Sequence, residues 1–179
     1  MTGQAKMTKG AESAALFLAH ALQLESDAVE RYSELTDAME AHNQPDVARL
    51  FREMSGYAVM HRDEIRTIAG TMGGLPKLQP WEFDWGGGAE SPESADWEAT
   101  HYLMSPAHAL RLALDCERMA NRYYAGVAAV TKDAEVARLA AEFAEEEACH
   151  AALLEKWAEK HPLPAAGWDD DPDPPNVSD

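Results

Sequence analysis

Glu147-x-x-His150 sets a carboxylate and an imidazole three residues apart, on adjacent turns of one helical face. Phe143 and Leu154 flank the pair at helical spacing, so that face is an apolar one. Three more polar residues interrupt apolar stripes in the same way. Glu25 falls between Leu22 and Val29, Glu117 between Leu114 and Tyr124, and His61 between Met54 and Ile65. A buried carboxylate without a partner is too costly to keep ionised, and several converging on one interior need a neutralising charge. Lys and Arg are absent from these stripe positions, which makes a metal cation the expected counter-charge. Mixed carboxylate and imidazole donors suit iron, with manganese as the other candidate, better than a structural zinc site does. No catalytic group beyond the metal ligands themselves is indicated.

Four long segments carry the helical periodicity that must position these residues. The first runs from about Glu12 to Ala41, with Leu18, Leu22, Val29, Tyr32 and Met39 as its stripe. The second runs from about Pro45 to Ala69, with Leu50, Met54, Ala58, His61, Ile65 and Ile68, and ends at Gly73-Gly74 and Pro76. Ser105-Pro106 then caps a third helix that runs to about Val130. The fourth runs from about Asp133 to Lys160, with Val136, Leu139, Phe143, Glu147, His150, Leu154 and Trp157 on its stripe. Between the second and third lies a long connection, from Met72 to Met104, rich in Pro, Gly and Trp. A loop of that length has a job or a topological reason, and its aromatic residues are expected to pack onto the body.

Two helical hairpins joined by a long crossover describe an all-α four-helix bundle. The hairpins also resemble each other. Val47-Ala48-Arg49-Leu50 recurs as Val136-Ala137-Arg138-Leu139, and His61 meets His150 at the same separation. Leu22, Glu25, Ala28 and Tyr32 similarly meet Leu114, Glu117, Ala120 and Tyr124. The pattern reads as an internal duplication of a hairpin. A Glu from each of two helices plus a Glu-x-x-His from each of the other two is the ligand set of dimetal–carboxylate bundles.

The pairing of Glu25-x-x-Ala28-x-x-x-Tyr32 with Glu117-x-x-Ala120-x-x-x-Tyr124, together with His61 and Glu147-x-x-His150, resembles the ferritin-like superfamily. It looks closest to its rubrerythrin branch, over about residues 12–160. That resemblance implies a non-haem diiron centre that reacts with dioxygen or peroxide, as an oxidoreductase of the peroxidase or ferroxidase type. Glu25, His61, Glu117, Glu147 and His150 would be the metal ligands. Tyr32 and Tyr124 would hydrogen-bond to the ligating carboxylates and fix their geometry. The chain departs from the pattern at Ala58, which aligns with Glu147 and removes one bridging carboxylate. Glu64 and Glu53 lie near His61 but off the stripe. The extra Glu that the rubrerythrin branch carries one turn after its third-helix ligand is Ala120 here. No Cys-x-x-Cys pair is encoded, so electrons would come from a separate donor. The alternative reading is a degenerate or mononuclear metal-binding bundle with a structural or partner-binding role, the crossover aromatics forming its functional surface.

Composition narrows the partners. Lys and Arg total 15 against 32 Asp and Glu, a formal charge of −17, which opposes nucleic-acid binding and attachment to anionic lipid. No run of about 18 apolar residues exists to span a bilayer. Cys116 and Cys149 are too few for a disulfide scaffold and read as inert reduced thiols. The expectation is a cytoplasmic protein, a homodimer by family analogy. A single ferritin-like domain is expected over residues 1–168, followed by a disordered acidic tail over 169–179.

Overall fold

A computed structural model describes residues 9–86, 91–93 and 104–163. The acidic tail and Trp97 lie outside the described residues. Those described form four long α-helices and no strand: α1 (Ala14–Ala41), α2 (Pro45–Thr71), α3 (Pro106–Val130) and α4 (Ala134–Ala158). Short 3₁₀ turns at Lys9–Ala11 and Pro80–Glu82 precede α1 and sit in the crossover. The periodicity thus places every helix within about two residues of its observed ends.

Local chemistry explains the boundaries. Ser13 accepts a hydrogen bond from the Leu16 N–H at 3.3 Å, and Ser105 accepts from the His108 N–H. Asp133 accepts from the N–H groups of Glu135 and Val136. Each side chain satisfies an amide that the first helical turn leaves without a partner. Asn43 adopts φ +54° after the last turn of α1, and the Gln44 N–H closes back on the Met39 carbonyl at 2.8 Å. This left-handed cap lets a three-residue connection reverse the chain into α2. Gly73 and Gly74, at φ +86° and +103°, end α2 in conformations that side-chain-bearing residues rarely adopt.

Two apolar clusters fill the bundle, and each draws on all four helices. One contains Tyr32, Phe51, Leu110 and Leu154, and the other Phe17, Ile65, Tyr124 and Phe143. The crossover is pinned beside the second cluster. His20 is fully buried, its Nδ1 2.8 Å from the Leu16 carbonyl oxygen, and the Asp84 N–H donates to its Nε2 at 3.1 Å. Trp85 packs edge-on against Tyr123 and stacks on Phe83. Trp81 departs from the expectation that the crossover aromatics pack onto the body, being 79 % exposed.

The phase of α1 also differs from the sequence reading. Leu22 and Val29 are only half-buried, while Leu18, Ala21, Leu24, Ala28, Tyr32, Leu35 and Met39 form the buried face. The buried face thus keeps Leu18, Tyr32 and Met39 of the expected stripe and takes Ala21, Leu24, Ala28 and Leu35 in place of Leu22 and Val29. No helix among the described residues is long and apolar enough to cross a membrane.

Candidate metal centre

Each helix hands over from one apolar cluster to the other near its middle, and the polar residues sit at that handover. On α1, Glu25 lies between Leu24 and Ala28; on α2, His61 lies between Ala58 and Ile65. On α3, Glu117 lies between Leu114 and Ala120; on α4, Glu147 and His150 lie between Ala144 and Ala151. The structure therefore brings all five candidate ligands into one polar layer across the bundle. Glu25, Glu117 and Glu147 are at most 5 % exposed, and both imidazoles are partly buried. Glu53 and Glu64 are exposed, as their off-stripe positions require.

The tightest group is Glu117, Glu147 and His150, each offering one donor atom within 4.8 Å of the others. His150 Nδ1 lies 3.3 Å from Glu147 Oε2 and 3.5 Å from Glu117 Oε2. An ion held at about 2.0–2.2 Å from each donor needs donors within about 4.4 Å of one another, so small side-chain adjustments close this ring. His61 Nδ1 lies 3.7 Å from Glu25 Oε1, and its Nε2 lies 3.7 Å from Glu146 Oε2 at the solvent edge. The two imidazole rings lie 5.6 Å apart, so the Glu25–His61 pair and the three-donor group are neighbours. The donor types and their convergence fit a hard to borderline transition-metal cation such as iron.

Protonation follows from this crowding. Burial drives Glu147 well above the usual carboxylate range, and the neighbouring Glu117 charge and hydrogen bond push it further. Burial acts the same way on Glu117, but hydrogen bonds from Glu147 and His150 and the charge of Arg31 outweigh it, holding Glu117 at about 2. Within the pair, burial thus favours the neutral form at Glu147, and its surroundings favour the charged form at Glu117. Burial pulls His150 down, yet its hydrogen bonds to Glu117 and Glu147 win and raise it to about 10. His61 is raised chiefly by its hydrogen bond to Glu25, while burial raises Glu25 itself.

One expectation needs correction. A cationic side chain does reach the layer: Arg31 of α1 is buried, and its Nη2 donates to Glu117 Oε1 at 3.1 Å. Its Nη1 donates to the backbone carbonyl of Glu93 and pairs with the Glu93 carboxylate. Arg31 escaped the stripe because the stripe was drawn through Leu22 and Val29. The run Leu24, Ala28, Arg31, Leu35, at helical spacing on the buried face, is the signal that locates it. Glu93 had no such signal, because it lies in the crossover, where periodicity carries no information.

The two tyrosines behave differently from each other. The Tyr32 hydroxyl donates to Glu117 Oε1, as the resemblance implies. The Tyr124 hydroxyl is buried and has no hydrogen-bond partner among the described residues. Glu25, the carboxylate that repeat symmetry would offer it, is turned to His61 instead. Ala58 is 4 % exposed and lines the same small cavity as Glu25, Glu117, Glu147 and His150. Both cysteines are free thiols; Cys116 is buried beside Glu117, and Cys149 is exposed.

Comparison with known proteins agrees with this architecture. The family model for the ferritin-like domain matches residues 13–160. A crystal structure at 2.00 Å of an uncharacterized conserved protein from Magnetospirillum magnetotacticum MS-1 is similar, with a TM-score of 0.72 and 46 % sequence identity. The match covers 86 % of this chain and 98 % of that one. No protein of curated function matches the chain. With the family model spanning all four helices and the polar layer between them, the chain belongs to the ferritin-like domain family.

Proposed function

We propose that the chain is a non-haem iron oxidoreductase that reacts with dioxygen or peroxide, similar to rubrerythrins and ferroxidases. The observation that carries this reading is the convergence of Glu117, Glu147 and His150 inside the bundle, beside Glu25 and His61. Glu117, Glu147 and His150 would hold one ion, and Glu25 and His61 would contribute to holding a second. Iron bound there would supply reversible one-electron chemistry toward dioxygen or peroxide.

The chain's own residues would do the rest. Tyr32 and Arg31 both donate to Glu117 Oε1, which fixes that carboxylate before metal arrives. Ala28, Met54 and Ala58 wall the cavity and keep it apolar on the sides the donors leave. Glu147 and His150 hold protons next to the reacting volume and can release them when the layer gains positive charge. A separate donor would supply electrons. The same reading expects a cytoplasmic homodimer.

A second reading is favoured by two specific observations. Arg31 already neutralises part of the layer, and Ala58 removes a bridge. Both favour a single-ion or degenerate site in a structural or partner-binding protein. Elemental analysis of the chain purified from iron-supplemented cells separates the two. About two irons per chain, with an absorbance change on exposure to oxygen, support the oxidoreductase. One or none supports the second reading. Glu147→Ala combined with His150→Ala should abolish the bound metal; retention of wild-type metal by that variant would refute the ligand assignment.

A further inference from the structure

We propose that Glu93, carried into the bundle by the crossover, is a fourth protein donor of the Glu117–Glu147–His150 metal position. The inference rests on the iron-binding reading above and goes beyond it. Glu93 is 3 % exposed and lines the same cavity as the three donors. Buried carboxylates are held by partners on both oxygens wherever the fold can provide them. Here only Oε2 has one, the Arg31 guanidinium, while Oε1 accepts no hydrogen bond among the described residues. This unsatisfied carboxylate oxygen lines the cavity that the three donors share; it lies outside their 4.8 Å group, so a side-chain shift would bring it to a cation held there.

The short segment around Glu93 is fastened for this purpose. Its carbonyl accepts from Arg31 Nη1 at 3.1 Å, its N–H donates to Ser91 Oγ at 3.3 Å, and Asp27 of α1 hydrogen-bonds to Ser91. Charge bookkeeping agrees. Glu93, Glu117 and Glu147 as carboxylates carry three negative charges, and Arg31 supplies one positive. A single divalent cation leaves this buried group neutral, which is the condition a low-dielectric interior imposes. The crossover would thus supply from a loop the carboxylate that α2 lacks at Ala58.

The test uses the full-length, metal-free chain titrated with Co²⁺, whose visible absorption reports the number and type of donors. Glu93→Gln keeps the shape and an acceptor for Arg31 but loses the anionic donor. It should weaken Co²⁺ binding at least tenfold and alter the absorption envelope, with helical circular dichroism unchanged. In the wild type, Co²⁺ should also slow amide hydrogen exchange at Ser91 and Glu93, a readout that stands if the variant fails to fold. Equal Co²⁺ affinity and an identical spectrum in Glu93→Gln, or exchange at Ser91 and Glu93 indifferent to Co²⁺, would overturn the assignment and leave the iron-binding reading intact. A wild-type chain that binds neither Co²⁺ nor Fe²⁺ would overturn both.

Discussion

The imidazoles of His61 and His150 lie face to face, with ring centroids 5.6 Å apart and planes 20° from parallel. They come from matching positions of the two hairpins, one on α2 and one on α4. The repeated sequence therefore has a spatial counterpart: the hairpins pack so that equivalent residues meet at the middle of the bundle. The symmetry is broken at the next equivalent pair. Glu147 faces the cavity from α4, and Ala58 faces it from α2.

That broken pair yields the first prediction. Ala58→Glu should raise the iron content toward two per chain and speed the oxidation of added ferrous iron. A second carboxylate between the two positions offsets the repulsion of two cations. The cavity is small, so the cost of inserting the larger side chain should show as a melting temperature lower by a few degrees in the metal-free variant. Elemental analysis and stopped-flow absorbance check it. A variant that folds yet gains neither iron nor rate would mean that a carboxylate at position 58 does not serve the metal.

The legible and illegible parts of this site divide on physical lines. Glu25, Glu117, Glu147, His61 and His150 could be found because each interrupts an apolar stripe of known period, and because duplication states the pattern twice. Ser105-Pro106 and Gly73-Gly74 announced helix ends through backbone chemistry that acts locally. Arg31 was obscured by a small error in the phase of α1, where the many alanines of the buried face give a weak stripe. Glu93 reaches the layer through tertiary packing of an aperiodic segment, which no local pattern encodes. The Tyr32 hydrogen bond follows the resemblance, but the lone hydroxyl of Tyr124 was out of reach, since repeat symmetry treats the two residues as equals.

Arg31 should be the most sensitive structural residue of the layer. Arg31→Met would leave Glu93 and Glu117 buried without their cation. Breaking a buried pair by removing one partner costs about 3–5 kcal/mol. Urea denaturation of the metal-free variant should show that loss, and saturating metal should recover part of it, because a cation restores the charge balance. An unchanged midpoint would show that the carboxylates escape to water when the guanidinium is gone.

Metal binding should release protons. His150 is raised from an ordinary value of 6.5 to about 10 in the folded metal-free chain. Since the folded value exceeds the unfolded one, its contribution to stability is complete below about 6.5 and is lost as pH rises through about 10. A metal ion competes with the proton for the same ring nitrogen, and with the proton of Glu147 for a carboxylate oxygen. Affinity for Fe²⁺ or Co²⁺ should therefore rise between about pH 6 and pH 8, with acidification of a weakly buffered sample on metal addition. Titrations with a pH-indicator dye measure both. A pH-independent affinity without proton release would place the metal away from Glu147 and His150.

The two tyrosines should separate in stability although the sequence repeats make them equivalent. The Tyr32 hydroxyl donates to the Glu117 carboxylate, a hydrogen bond to a charged acceptor, which is worth about 1.5–3 kcal/mol. Its loss in Tyr32→Phe also leaves Arg31 alone to hold Glu117 Oε1, so the metal-free variant should be destabilised by about that amount. The Tyr124 hydroxyl is buried without a partner among the described residues, packed among Phe17, Phe143 and Tyr123. Removing an unsatisfied buried hydroxyl relieves a desolvation cost and keeps the ring packing. Tyr124→Phe should accordingly be neutral or stabilising by up to about 1 kcal/mol. Urea midpoints of the two metal-free variants, measured side by side, decide the matter. Should Tyr124→Phe cost as much as Tyr32→Phe, Tyr124 has found a carboxylate in solution, and Glu25 is the acceptor that repeat symmetry supplies.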